Sequence, residues 1–402
     1  MDEAAWRRHR GAMPHPVISS RVRATGAPPI PAARVWAARY DGRAGPEIDL
    51  TQAVPGYPPH PEMLERLAQA AGTRAASGYG AIDGDVALRE ALSNDINDFY
   101  GAAVSPEEVA VTAGCNLAFA MAATVAAAPG EAVMLPAPWY FNHHMALTMH
   151  GISTVPLPCR AEDGFVPDPA MAEALLTPRV RAIVLVSPNN PTGAIYPADI
   201  IASFAALCRR RGLWLILDET YRDFLPAQSV PPHRLFSDPD WADVLVHLYS
   251  FSKSYCIPGH RIGAVAAGGE FRAELLKVLD TMQICPPRAA QTALAWAIDG
   301  LRDWRAGNRA IMAERADAFR AAARAFQGWQ VDALGAYFAY LRLPADMEGA
   351  LATAERLAAF RGLASLPGPF FGPGQERHLR LAFANVDLAA IAQIAGRLGG
   401  RE

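Results

Sequence analysis

SFSKSYCIPGHRIG, residues 250–263, follows directly on the apolar run at 244–249 and sets Lys253 among Ser250, Ser252 and Arg261. A lysine amine forms a Schiff base with a carbonyl only when it is deprotonated and held in place, and burial and neighbouring cations both lower its pKa. An arginine and hydroxyls beside it are suitable partners for a phosphate. The segment is therefore a candidate holder of a phosphorylated aldehyde. The ordinary alternative is a solvated loop lysine, so the reading depends on partners elsewhere in the chain.

Working outward, short apolar runs rich in β-branched residues recur at 108–112, 132–135, 152–157, 182–187, 213–218, 244–250 and 262–267, several of them separated by helical stretches. Such alternation predicts an α/β fold, a mostly parallel sheet with helices on both faces. DGDVALREALSNDINDFYG reads as an amphipathic helix with an acidic first turn and a terminal glycine. Beyond about residue 286 the pattern changes to Ala/Arg-rich helices at 289–298 and 303–326, then to strand-like pieces at 335–341 and 379–383. This predicts a smaller α+β domain. The divisions expected are an N-terminal arm and part of the small domain over 1–48, with a short helix outside the main core; a large domain over 49–288; and a small domain over 289–402.

Open α/β sheets bind ligands at the carboxyl ends of their strands, and these ends carry unusual residues. The run at 182–187 stops at SPNNPTG, where Asn190 is either a turn residue or a donor at the sheet's mouth. The run at 213–217 ends in DETY. A buried Asp218 needs a cationic partner, such as a protonated pyridine nitrogen, unless it is a helix cap. Tyr221, three residues on, can donate to a ring oxygen. After 109–112 come Gly114 and Cys115 at a helix start, where free backbone N–H groups attract anions. Trp139 or Tyr140, after 132–135, could stack on a flat ring or simply belong to the core. Arg380 lies in an apolar strand-like segment, and its planar fork suits a substrate carboxylate as well as an edge strand suits an exposed arginine.

Composition narrows the classes. The 402 residues carry a net charge of -3, with 51% hydrophobic and 19% charged residues, which argues against a disordered chain and against a nucleic-acid partner. Five cysteines without a CxxC pair read as free thiols in a reduced compartment, not as a disulfide scaffold or metal centre. No apolar run approaches the roughly 18 residues of a membrane span, and MDEAAWRRHRGAMPHP is too charged for a signal peptide. A cytoplasmic protein is expected.

Taken in order, SPNNPTG, DETY, SFSK…R and LR…F resemble the class I/II aminotransferases, pyridoxal-phosphate enzymes of the aspartate-aminotransferase fold, over residues 49–383. The resemblance implies that Lys253 binds pyridoxal 5'-phosphate as a Schiff base and Asp218 pairs with its ring nitrogen. Asn190 and Tyr221 would hold the ring oxygen, and Tyr140 would stack on the ring. Ser250, Ser252, Arg261 and the Gly114–Cys115 backbone would bind the phosphate. Tyr79 matches a tyrosine that reaches the phosphate of a neighbouring subunit, which implies a homodimer with shared sites. Arg380, with Asn190 and Ala53 nearby, would hold the substrate.

The implied activity is ping-pong transfer of an amino group from an L-α-amino acid to a 2-oxo acid. Alternatives sharing these motifs are a C–S lyase or synthase and a non-catalytic cofactor-binding regulatory module. Several positions depart from the family pattern. Ala53 replaces a glycine, with Gly56 following; Cys115 replaces Ala, Ser or Thr; Cys256 and His260 replace Gly and Trp-like residues. Arg288 is a candidate for a second substrate carboxylate, against the reading of a structural helix start. Tyr57, Trp139 and Tyr140 favour a neutral or aromatic substrate.

Overall fold

The computed structural model describes residues 16–399. The charged N-terminal stretch read above against a signal peptide lies almost wholly outside them. After a two-residue strand β1 (Ile48–Asp49), the runs found in the sequence form β2 (Val109–Thr112), β3 (Ala132–Ala137), β4 (Ser153–Pro158), β5 (Val180–Val186), β6 (Trp214–Asp218), β7 (Leu245–Ser250) and β8 (Gly263–Ala266). They build one seven-stranded sheet in the order β2-β8-β7-β6-β5-β3-β4. All run parallel except β8, which is antiparallel to both its neighbours. Strands covered on both faces bury every side chain, which is why β3 and β7 read as continuous apolar runs.

One face packs against Met63 and Leu67, Leu88, Leu92 and Ile96, and Ile201 and Phe204. The other packs against Phe119 and Met121, Leu147, and Leu275 and Leu279. The helix Arg288–Gly300, expected with the C-terminal unit, buries Ala293, Leu294 and Ala297 in the first of these cores. The helix Val86–Tyr100 ends at Gly101 in the left-handed conformation, as the sequence indicated. Its first turn holds no acidic residue, however. Asp85 precedes the helix without capping it and meets Arg288 at 3.3 Å, while its backbone N–H donates to Gln291 Oε1 at 2.7 Å.

The C-terminal part carries β9 (Gln330–Gly335), β10 (Phe338–Arg342), β11 (Leu363–Ala364), β12 (Leu366–Pro367) and β13 (His378–Ala382). Four of these form an antiparallel sheet in the order β12-β13-β10-β9, while β11 pairs with β1. The single strand expected at 335–341 is instead the middle of the β9–β10 hairpin. Ala336 turns the chain with φ 45°, and the Gly335 backbone lies so close to that of Gly193 that neither position has room for a Cβ. Nothing in GAYFAYL marks a turn, because the contact that bends it comes from 142 residues away (335 minus 193). The N-terminal helix Pro29–Ala37, expected outside the core, buries Ala33 and Ala37, and Trp36 stacks on Phe370 at 6.5 Å. Among the described residues no helix is long and apolar enough to cross a membrane.

Candidate active site

The carboxyl ends of five strands converge on one cavity. β2 leads through Gly114 into the helix Cys115–Ala126, β3 into Tyr140, β5 into Asn190, β6 into Asp218 and β7 into the short helix Phe251–Ser254 that carries Lys253. Cys115, Tyr140, Asn190, Asp218, Tyr221, Ser250, Ser252, Lys253 and Arg261 all line it, as do Asn116, Val186 and Thr220, which the sequence did not single out. The Ser250 hydroxyl accepts the Ser252 N–H at 3.3 Å and so caps the helix that presents the lysine.

Burial holds the Lys253 amine down at about 8, helped by the positive charges of Arg261 and Arg380. A useful fraction is therefore neutral near pH 8, as nucleophilic or basic chemistry requires. Across the cavity, burial pushes the Asp218 carboxyl up, but hydrogen bonds outweigh it and keep the group below the ordinary carboxylate range. His143 Nε2 lies 3.2 Å from Oδ2, and the Thr220 N–H donates to Oδ1 at 2.9 Å. Phe119 stacks on His143 at 3.9 Å and fixes its plane. His143 is a partner that sequence reading missed; the available signal was a histidine one turn into the helix after β3.

Behind Asp218, Glu219 is fully buried and accepts from Tyr100, from His233 at 3.1 Å and from His247 at 2.9 Å. Burial opposes its ionisation, yet the histidine partners hold its carboxyl well below the usual range. A second buried network joins Asp95 to Arg222, and Arg305 to Asp223 at 3.1 Å. Tyr249 donates to Asp223 at 2.7 Å and lies 3.2 Å from the Ser254 hydroxyl, next in sequence to Lys253. Among the described residues no His, Cys, Asp and Glu cluster is arranged to hold a metal ion.

One end of the cavity is shaped for an anion. Gly114 has φ 92°, and a Cβ there would run into the Arg261 guanidinium; a Cβ on Gly263 would come within 2.6 Å of the Cys115 nitrogen. The helix start and the arginine are thus packed together as tightly as glycine permits, at the positive end of a 12-residue helix. Arg261, itself at φ 53°, is steadied by a bond from Nη1 to the Pro258 carbonyl at 2.9 Å. Burial raises the Cys115 thiol well above its ordinary pKa, so it stays neutral beside Thr220, 3.4 Å away.

Arg380, only 1% exposed, does not itself line the cavity but touches it through Asn190, which does. Its Nη1 donates to Asn190 Oδ1 at 3.1 Å and its Nη2 to the Thr51 carbonyl, while its Nε has no partner. Among the described residues no carboxylate stands within ion-pair distance of it. Burial brings its pKa down to about 10, against the pull of Tyr221, Tyr140 and Tyr337. Asn190 in turn donates to the Tyr221 hydroxyl at 3.4 Å.

The remaining candidates are less direct. The Ala53 carbonyl accepts from Tyr337 at 3.3 Å, and the residue does not line the cavity. Tyr79 is 82% exposed and is not among the residues that line its own chain's cavity. Arg288 is tied to Asp85 and the Ala75 carbonyl, which supports its reading as a helix-start residue. Trp139 is buried against His144 at 5.0 Å, and Tyr57 packs edge-on to Trp304 at 5.8 Å. Cys256 has φ 55°, a conformation glycine adopts more easily, while His260 is exposed.

An anion cup, an amine that can be neutral and an ionised carboxylate thus line one cavity, and a guanidinium without a carboxylate partner is bonded to its Asn190, a set suited to a phosphorylated carbonyl compound and a carboxylate-bearing amine. Comparisons agree with this chemistry. Residues 46–398 match the family model "Aminotransferase class I and II". An aromatic aminotransferase of Arabidopsis thaliana is 26% identical over 358 residues, covering 87% of this chain and 88% of the relative. An arginine–pyruvate transaminase of Pseudomonas aeruginosa is 31% identical over 305 residues, covering 75% and 77%. A solved aspartate aminotransferase of Thermus thermophilus, a single mutant, superposes with a TM-score of 0.86 at 26% identity, covering 95% of this chain and 99% of that one.

Proposed function

Because the chain belongs to the class I and II aminotransferases and is therefore a transaminase, we propose that it uses pyridoxal phosphate held by Lys253 to move the amino group of an L-α-amino acid to a 2-oxo acid. The observation that carries this reading is the Lys253 amine itself, lowered to about 8 and placed between the Gly114–Arg261 anion cup and buried Asp218. These groups fit the cofactor. Arg261, Ser250, Ser252 and the helix start at Gly114–Cys115 would hold the phosphate; Asp218, oriented by His143, would face the ring nitrogen; Asn190 and Tyr221 would meet the ring oxygen, and Tyr140 the ring face.

Pyridoxal phosphate, when bound, supplies a carbonyl that captures amines and a ring that accepts the electrons released at the substrate's Cα. The chain's residues do the rest. Arg380 and Asn190, with Ala53 close by, bind the α-carboxylate and orient the Cα. Lys253 Nζ would take the Cα proton and return it during transfer, as a general base held beside the substrate. Asp218 stays ionised and so keeps a positive charge opposite it stable in a buried site.

The expected substrate is a neutral or aromatic amino acid, since Arg288, the candidate for a second substrate carboxylate, is tied to Asp85 and the Ala75 carbonyl. A homodimer with shared sites is supported by the exposed apolar residues Tyr79 and Ile284, whose chain neighbours meet where the Gly80 N–H donates to Cys285 Sγ at 3.4 Å. The test is to mix the cofactor-loaded protein with single amino acids and follow loss of the lysine-bound cofactor's absorbance, together with ammonia. Absorbance loss without ammonia is expected. Stoichiometric ammonia release would instead identify an elimination lyase.

A further inference from the structure

Phe165 follows β4 on the large sheet's edge and is only 3% exposed, yet it adopts φ 58°, a backbone conformation that a bulky side chain rarely takes. Gly164 before it is also left-handed at φ 63°, and the Phe165 N–H closes the turn onto the Arg160 carbonyl at 2.9 Å. A residue held in such a conformation persists only where its surroundings over-determine it, and that marks the position for functional scrutiny. The ring belongs to the large core cluster and also reaches the small sheet. There it meets Tyr340 edge-on at 5.4 Å and His378 edge-on at 5.8 Å, and these two rings stack on each other at 4.8 Å and 1°.

Both contacts lead to Arg380. Tyr340 is its cross-strand partner in the β10–β13 register, and His378 lies two residues before it on the same strand face. Phe371 covers the Arg380 guanidinium at 5.4 Å and touches Tyr340 edge-on at 6.5 Å. With Nε unpartnered, Arg380 is held by Asn190, by Thr51 and by the rings of Phe371 and Phe338. The stack is anchored at its outer end, where His378 Nε2 lies 2.8 Å from Asp332 and Tyr340 donates to Gln375 at 2.9 Å.

We propose that Phe165 is a positioning residue through which the body carrying Lys253 sets the placement of Arg380, acting by way of Tyr340 and Phe371. The inference rests on the reading that Arg380 binds the substrate's α-carboxylate. Truncating the ring leaves Tyr340 without its wedge and lets the arginine relax from its place relative to the lysine. Substrate binding then weakens, while the cofactor end, on other elements, is untouched.

The test compares Phe165→Ala, Phe165→Leu, Phe165→Gly and Arg380→Ala, each loaded with pyridoxal phosphate, in single-turnover reactions with the best amino acid from the absorbance screen. Cofactor affinity is titrated separately by fluorescence. Phe165→Ala and Phe165→Gly are expected to raise KM about tenfold, with the saturating rate and cofactor affinity within about threefold of wild type, and Phe165→Leu to restore most of the loss. Phe165→Gly keeps the turn comfortable and removes only the ring, so an unchanged KM in that variant overturns the proposal. A parallel fall in rate, KM and cofactor affinity also overturns it, by showing general loosening. If Phe165→Ala does not fold, the Leu and Gly variants decide. Arg380→Ala separates the two levels. A raised KM there with unaffected Phe165 variants sinks only the wedge; an unchanged KM there sinks the reading of Arg380 as well.

Discussion

Lys253 shows how a single residue acquires chemistry from its place. Its ordinary pKa of 10.5 falls to about 8 because burial disfavours the ammonium form and Arg261 repels it. Capture of pyridoxal phosphate by the empty protein should therefore accelerate as pH rises through about 8. Arg261→Ala should move that midpoint upward by removing the repulsion, measurable as the pH dependence of the rate at which bound absorbance appears. The same shift has a sign for stability. Between about 8 and 10.5 the unfolded chain keeps the lysine proton and the folded chain does not, so this group's contribution improves as pH rises across that window. Lys253→Ala should lower single-turnover conversion by at least about 100-fold, the smaller end of what a positioned base supplies; conversion at the wild-type rate would refute the mechanism. Lys253, Asp218, Asn190 and Arg380 each had an ordinary local reading, as a loop lysine, a helix cap, a turn residue and an edge arginine, and only their order along the chain singled them out as candidates. His143 was not legible, since its partner Asp218 lies 75 residues away (218 minus 143) and a histidine in an apolar helix has no local signature.

At the scale of elements, the junction of β2 with the helix Cys115–Ala126 carries the sharpest constraint. Gly114→Ala would need both a left-handed alanine and displacement of Arg261, so cofactor affinity should fall by about tenfold or more, read by fluorescence titration. Gly101→Ala, equally left-handed but with open space around it, should cost about 1 kcal/mol of stability by denaturant titration and leave cofactor affinity unchanged. The parallel strands were readable from the sequence because burial on both faces writes itself as unbroken apolar runs. The β9–β10 hairpin was not readable, because its bend is imposed by Gly193 from the other body. Asp85 misled for a related reason: an acidic residue at the start of a helix reads as part of an acidic first turn, and only the fold places it before the helix with Arg288 and Gln291 to claim it.

For the whole molecule, the exposed group around Tyr79 and Ile284 leads to an expected assembly. Wild type should sediment as a dimer, and Ile284→Asp, which places a charge in that group, should shift it toward monomer and reduce conversion together. Monomer behaviour at full activity would remove the shared-site reading. Arg380 carries a different consequence. A guanidinium buried without a counter-ion is a standing electrostatic liability in the empty protein, and any small carboxylate that enters relieves it. Ligands that bind only the folded state raise the melting temperature in proportion to the logarithm of their concentration over Kd. The thermal transition of this protein should thus depend on the organic anions in its buffer, and a panel of amino and 2-oxo acids scored by melting temperature should order them as ligands before any turnover assay is run. Arg380→Met, which keeps the length and discards the charge, should flatten that response.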